Sequence, residues 1–350
     1  KSQRGACRMK VYIIAEAGVN HNGSLEICKK LIDVSVKAGA DAVKFQTFKA
    51  GKLVTANTEK ARYQIENTGA GGPQIEMLRR LELSPNTHKD LFAYCRQKNI
   101  SFLSTSFDEE CADMLDDLGM EIFKISSGEI TNKPLIQHIA SKKKPIILST
   151  GMSYLGEVGN AISWIGEIWN TSDKKPQLSI LHCVSSYPAR IEDVNLRAIK
   201  TMEMAFGLPV GYSDHTMGTE ITMAAVAMGA KVIEKHFTLD RDMEGPDHKA
   251  SLEPDELEAM VTAIRNVERA MGDGVKKSTK SENEIKMFVR RSLVTAKEIR
   301  AGETISPDDI VIKRPGTGIS AEFKDKVVGM KSGSDISADS VIKWEDLKHA

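Results

Sequence analysis

Eight short β-rich runs are spaced along the first two thirds of the chain: VYIIAEAG (11–18), AVKFQTF (42–48), SFLSTSF (101–107), IFKISSG (122–128), PIILSTG (145–151), LSILHCVS (178–185), PVGYSDH (209–215) and VIEKHFT (232–238). Amphipathic stretches separate them. In SLEICKKLIDVSVKAGA, Leu25, Cys28, Leu31, Ile32 and Val36 recur at helical spacing, with Ser24 placed to cap the start and Gly39 to stop the end. Strands alternating with helices imply a parallel sheet, and eight such units imply a closed (β/α)₈ TIM barrel. A doubly wound sheet is the rival, but no glycine-rich dinucleotide turn follows the first run.

The eighth unit closes with the helical stretch EPDELEAMVTAIRNVERAMG (253–272). We therefore expect a barrel over 9–272, a polar linker over 273–287 and a small C-terminal β-rich domain over 288–350. Residues 1–8 read as a tag or extension ahead of a natural start at Met9. Lys plus Arg and Asp plus Glu number 48 each, so the chain lacks the basic excess of a nucleic-acid binder. No apolar run reaches the ~18 residues of a membrane span. The five cysteines are scattered with no C-x-x-C, which suits a reducing cytoplasm and core packing; a thiol nucleophile is the minor alternative.

In a barrel of this kind the chemistry sits at the C-terminal ends of the strands. A polar group stands at nearly every one, and three sets emerge. Lys44, Lys124, Thr105, Ser127, Ser149 and Ser213 are cations and hydroxyls, suited to a phosphate or carboxylate. His215 and His236 end the seventh and eighth runs, neighbours in a barrel, where two imidazoles can share a Mn²⁺-like or Zn²⁺-like ion. Glu16, Glu129, Glu234 and Asp247 are carboxylates that can accept from polyol hydroxyls or move a proton. Each set has a bland counterpart: strand ends turning polar at water, lysines snorkelling, histidines merely hydrogen-bonded.

These residues in this order, within AEAGVNHNGS, AVKFQTFKA, FLSTSFD, FKISSGEITNKPL, PIILSTGM, LHCVSSYP, GYSDHT, IEKHFTLD, GPDHKASLEPDEL and IVIKRPGTGIS, resemble the sialic acid synthase family, which includes the legionaminic and pseudaminic acid relatives. The resemblance implies an antifreeze-like (SAF) tail and a domain-swapped homodimer. It implies condensation of phosphoenolpyruvate with an N-acetylated aminosugar and release of phosphate. It implies Lys44, Thr105, Lys124, Ser127, Ser149 and Ser213 around phosphoenolpyruvate, and His215 and His236 on a divalent metal, usually manganese, with Mg²⁺ or Co²⁺ as substitutes. It sets Glu16, Gln46, Tyr187, Glu234 and Asp247 near the sugar, and brings Arg314 from the partner subunit. Ser185 stands where some members carry Asn. Glu234 is the first candidate for orienting or deprotonating water, Glu16 the second. N-acetylmannosamine and 2,4-diacetamido-2,4,6-trideoxy-mannose both remain open as acceptors, with loop residues 52–75 expected to choose. A metal-dependent barrel hydrolase and a carbohydrate-binding protein are the readings from other classes.

Overall fold

The computed structural model describes residues 10–69, 71–170 and 175–348; the expected extension 1–8 lies outside them. The described chain divides into two compact units, meeting at Asp273 and Gly274. The first is a closed, all-parallel barrel in the order β1 to β8. Its strands are β1 (Tyr12–Gly18), β2 (Ala42–Thr47), β3 (Ser101–Ser106), β4 (Phe123–Ile125), β5 (Ile146–Ser149), β6 (Leu178–Cys183), β7 (Val210–Asp214) and β8 (Val232–His236). All eight expected runs are strands, trimmed at their ends. β8 pairs with β1, Glu16 opposite His236, which closes the wall.

Strand periodicity of two sorts the side chains. Ile13, Val43, Phe45, Phe123, Ile146, Ile180 and Ile233 pack outward into the main core against the helices. Ile14, Ala42, Leu103, Ile147, Leu181 and Val232 form a separate cluster that fills the lumen. Two residues further along each strand, the inward positions become Glu16, Lys44, Thr105, Ser149, Cys183 and Glu234, and all six line one cavity. The hydrophobic plug below thus fixes the height at which the polar layer begins.

The helix Leu25–Ala38 begins where Ser24 Oγ accepts from the Ile27 N–H at 3.3 Å. It ends at Gly39, whose φ of 78° lies in the left-handed region that favours glycine. Cys28, Leu31 and Ile32 are buried as their spacing predicts, but Val36 is exposed and Ser35 takes the inner place. The closing helix is Pro254–Ala270.

The second unit has its own core of Leu293, Ile299, Ile305, Ile310, Ile319, Val327 and Ile342. Ser292–Thr295 pairs antiparallel with Ile310–Lys313, and Lys331–Ser332 with Leu347–Lys348. Residues 273–287, read above as a linker, contain most of a helix, Lys280–Val289. Thr279 caps it, its Oγ1 accepting from Glu282 N while Glu282 reaches back to Thr279 N. The polar run KSENE hid this helix, because its apolar residues Ile285, Met287 and Phe288 lie together at its end and are exposed. No helix among the described residues is long and apolar enough to cross a membrane.

Candidate active site

The cavity at the C-terminal mouth of the barrel has a volume of about 470 Å³. A larger groove of about 780 Å³ opens at the other end, where β3 and β4 begin, lined by Phe92, Arg96, Phe102, Leu103 and Glu121. That groove gathers no comparable set of convergent polar groups, so the mouth is the chemical site.

At the centre of the mouth two lysines and two glutamates interlock. Glu16 and Lys44 are register partners on β1 and β2, and their charges meet at 2.6 Å. Lys44 Nζ donates to Thr105 Oγ1 at 3.1 Å and lies 3.6 Å from Glu234. Lys124 Nζ donates to Ser149 Oγ at 2.6 Å and to the Ile125 carbonyl at 3.2 Å, and it too lies 3.6 Å from Glu234. Ser213 Oγ donates to Glu234 at 2.8 Å, and Gln46 Nε2 to Glu16 at 3.3 Å. All four charged groups are at most 5% exposed, so neither lysine snorkels to solvent.

Their surroundings push the two carboxyls apart. Burial raises Glu16, and the negative charge of Glu234 adds to it against the pull of Lys44. Burial acts on Glu234 as well, but Lys124 and Lys44 outweigh it and hold this carboxyl below its ordinary range. Burial also lifts Asp247, to about 6. One carboxyl held ionised beside another inclined to keep a proton is the arrangement an acid–base site requires.

His215 and His236 face each other with ring centroids 5.4 Å apart. His215 Nδ1 lies 2.7 Å from the Val184 carbonyl and so carries a proton, which leaves Nε2 for a ligand in the neutral ring. Burial lowers the basicity of this imidazole, but Cys183 and the Val184 carbonyl outweigh it. His236 Nδ1 is buried with no hydrogen-bond partner, 4.0 Å from Asp247 Oδ2. Two imidazoles beside a carboxylate are donors of the kind a borderline divalent cation takes, although no three such side chains among the described residues converge as a preformed metal site. Tyr187 covers the pair, 4.2 Å from the His215 ring and 5.6 Å from His236.

Ser127 and Ser185 lie on the same rim. Ser127 Oγ accepts from the Gly151 N–H at 2.9 Å. A Cβ on Gly151 would come within 2.2 Å of Ser185 Oγ and 2.9 Å of Ser127 Oγ, so both hydroxyls would have to shift to admit one. Glu129 does not join them. β4 stops at Ile125, a 3₁₀ turn takes Ser127–Glu129, and the Glu129 carboxylate accepts from Asn132 instead of lining the cavity. Arg314 is exposed on the second unit. Of the four described cysteines, Cys183 alone lines the cavity; burial pushes the thiols of Cys28, Cys95 and Cys111 up to about 12.

Part of the mouth had no signal at strand tips. Tyr63 and Gln64 come from the helix Arg62–Thr68, and Gln74 and Met77 from the helix Gln74–Leu81. Tyr63 stacks on Tyr187 at 5.4 Å. Asn67 Nδ2 donates to the Pro246 carbonyl at 2.6 Å, tying this segment to the loop that holds Asp247.

Residues 31–276 match the NeuB family, and residues 290–348 match the SAF domain. The chain belongs to the NeuB family. The N,N'-diacetyllegionaminic acid synthase of Campylobacter jejuni is 48% identical over 95% of this chain and 99% of that one. The enzyme of the same name from Legionella pneumophila is 47% identical over 97% and 95%. Among solved structures, an N-acetylneuraminic acid synthetase from Leptospira borgpetersenii in complex with citrate superposes with a TM-score of 0.70 at 35% identity, covering 81% of this chain and 94% of that chain. This NeuB-family chain is thus an enzyme of the sialic and legionaminic acid synthase type, a barrel followed by a SAF domain.

Proposed function

We propose that this chain joins phosphoenolpyruvate to 2,4-diacetamido-2,4,6-trideoxy-mannose, giving N,N'-diacetyllegionaminic acid and inorganic phosphate. The observation that carries the choice of sugar is the identity of 48% and 47% with two legionaminic acid synthases over nearly the whole of both chains, against 35% with the N-acetylneuraminic acid synthetase. The outer part of the cavity supports it. Val19, Met77, Leu78, Leu81 and Phe107 line that part, and an apolar wall suits a methyl at carbon 6 better than a hydroxymethyl that would be left unpaired.

In this reading Lys44 and Lys124 bind the phosphate and carboxylate of phosphoenolpyruvate, with Thr105, Ser127, Ser149 and Ser213 donating to the remaining oxygens. Gln46, Ser185 and Tyr187 complete the walls. The enol carbon bonds to the sugar aldehyde carbon. A water oxygen then bonds to the carbon bearing the ester, and phosphate departs as the ester C–O bond of that tetrahedral carbon breaks to leave a ketone. Of the two water protons, one ends on the former aldehyde oxygen and one on phosphate. A divalent cation held by His215 and His236, with Asp247 beside it, would supply Lewis acidity at the aldehyde oxygen; manganese is our first choice. Glu234, kept ionised by two lysines, orients the water. Glu16, which burial inclines to hold a proton, is assigned the proton transfer. The strand tips alone put Glu234 first for both tasks; here they are divided between the two carboxyls.

The small domain completes the proposal. Arg314 reaches the acceptor in the other subunit of a homodimer, where a planar donor fork suits an acetamido carbonyl. The free, buried cysteines fit a cytoplasmic setting.

Product mass spectrometry with each sugar, alongside phosphate release with and without Mn²⁺, tests the reading. Equal or better turnover of N-acetylmannosamine would reject the choice of acceptor. Calorimetric Mn²⁺ titration of His215→Ala and His236→Ala tests the metal: both should lose affinity and, with it, turnover by roughly 10² or more. Wild-type titration curves in both variants would remove the two histidines as ligands.

A further inference from the structure

The last outward positions on the first six strands, Ala17, Thr47, Ser106, Ile125, Leu148 and His182, carry no carboxylate or ammonium. On β7 and β8 the last outward positions are instead Asp214 and Lys235. They are register partners, each 1% exposed, and Lys235 Nζ lies 2.8 Å from Asp214 Oδ2. The carboxylate is fully used. Oδ1 accepts from Thr216 N at 2.9 Å, Thr216 Oγ1 at 2.7 Å and Tyr212 Oη at 3.2 Å. Oδ2 accepts from Thr222 Oγ1 at 2.6 Å, on the helix Glu220–Ala227 that covers these strands. Lys235 Nζ also donates to the Thr216 carbonyl at 2.6 Å.

A buried ion pair is a poor way to gain stability, since an apolar pair of similar volume avoids the desolvation cost. Its distinctive product is register. Asp214 immediately precedes His215 and Lys235 immediately precedes His236, so strand alternation sends the two imidazoles to the opposite face, into the cavity. The bonds to Thr216 hold the turn on the far side of His215. The ion pair joins that turn to the strand carrying His236.

We infer that Asp214 and Lys235 are positioning residues that set the separation and orientation of the His215 and His236 imidazoles. The consequence for metal affinity rests on the ligand assignment proposed above; the consequence for imidazole geometry does not.

The test uses full-length Asp214→Asn, Lys235→Met, the double variant carrying both, and Thr222→Val, which is nearly isosteric and removes one bond to Asp214 without stranding a charge. In metal-free protein, the ¹⁵N resonances of His215 and His236 should move in all four. Mn²⁺ affinity should weaken by about tenfold or more in the first three and by less in Thr222→Val. kcat should fall with it, while the KM for phosphoenolpyruvate stays near the wild-type value. The double variant, with no unpaired charge, should regain thermal stability but not Mn²⁺ affinity. Unmoved imidazole resonances in Thr222→Val and the double variant would overturn the inference, as would wild-type affinity in the double variant. If wild-type enzyme binds no Mn²⁺, the ligand assignment fails, and the imidazole resonances alone decide for or against positioning.

Discussion

Lys44 Nζ stands 2.6 Å from Glu16 Oε2, across the register pair that joins β1 to β2. Lys44 is the cation that draws the Glu16 carboxyl down against burial and against Glu234. Lys44→Met removes that pull, so Glu16 keeps its proton to higher pH. The limb of the pH–kcat profile governed by Glu16 should move upward in Lys44→Met and stay in place in Lys44→Arg. A profile from pH 5 to 9 measures this, and a limb that stays put in Lys44→Met would remove Glu16 as the proton-transfer group.

Lys124 answers to different partners. Its ammonium is held by Ser149, the Ile125 carbonyl and Glu234, with burial lowering its basicity first of all. An anion arriving beside it would offer the direct charge-to-charge hydrogen bond that Glu234, at 3.6 Å, does not. Lys124→Met should raise the KM for phosphoenolpyruvate by about tenfold or more and lower kcat, with the KM of the sugar little changed. Steady-state kinetics with each substrate varied in turn would show it. A wild-type KM for phosphoenolpyruvate would mean that Lys124 serves only to hold Glu234.

The inner layer of this site was legible because strand alternation is rigid. Once Ile14, Leu103, Ile147 and Val232 face the lumen, Glu16, Thr105, Ser149 and Glu234 must do so one step higher. The outer rim obeys no such period. Tyr63 and Gln74 reach the mouth from short helices within a stretch that reads only as loop. Glu129 was misplaced because it shares the parity of Phe123 and Ile125, which face outward, and the 3₁₀ turn after β4 hands its carboxylate to Asn132. Asp214 and Lys235 stood in plain view inside SDH and EKH, but nothing in those triplets says that the charges face a helix and not water.

The barrel should be acid-sensitive through His21. This imidazole is fully buried, its Nδ1 accepting from the Gly23 N–H at 2.9 Å and its Nε2 without a partner. Burial, helped by His88 and His248, holds it at about 4, against 6.5 for the free side chain. The unfolded chain takes up a proton that the folded barrel refuses. The stability is therefore complete above pH 6.5 and is lost as pH falls towards 4, by about 1.4 kcal/mol per unit. Asp247, raised by burial, acts in the opposite sense, but it is common to wild type and a His21→Asn variant and cancels in their difference. Urea unfolding at pH 7, 6 and 5 should give a wild-type curve that falls about 1 to 2 kcal/mol further than that of His21→Asn. Parallel curves would mean that His21 is charged in the folded state.

Arg314 offers the sharpest test of the proposed swap. It follows the strand Ile310–Lys313 and is exposed on the small domain, so a role confined to that domain predicts that Arg314→Ala leaves sugar kinetics alone. The proposal predicts instead a raised sugar KM. It also predicts complementation. A mouth needs His236 from its own barrel and Arg314 from the partner subunit. In a mixed dimer of Arg314→Ala and His236→Ala chains, the barrel of the first receives the arginine of the second and is complete, while the other mouth lacks its histidine. Random assortment makes about half of the dimers mixed, each with one working mouth, so roughly a quarter of wild-type activity should return on mixing two nearly inactive proteins. If the arginine served its own barrel, every mouth would carry one defect and nothing would return. Subunit exchange is confirmed by native mass spectrometry, and exchange without recovered activity would exclude the trans arrangement.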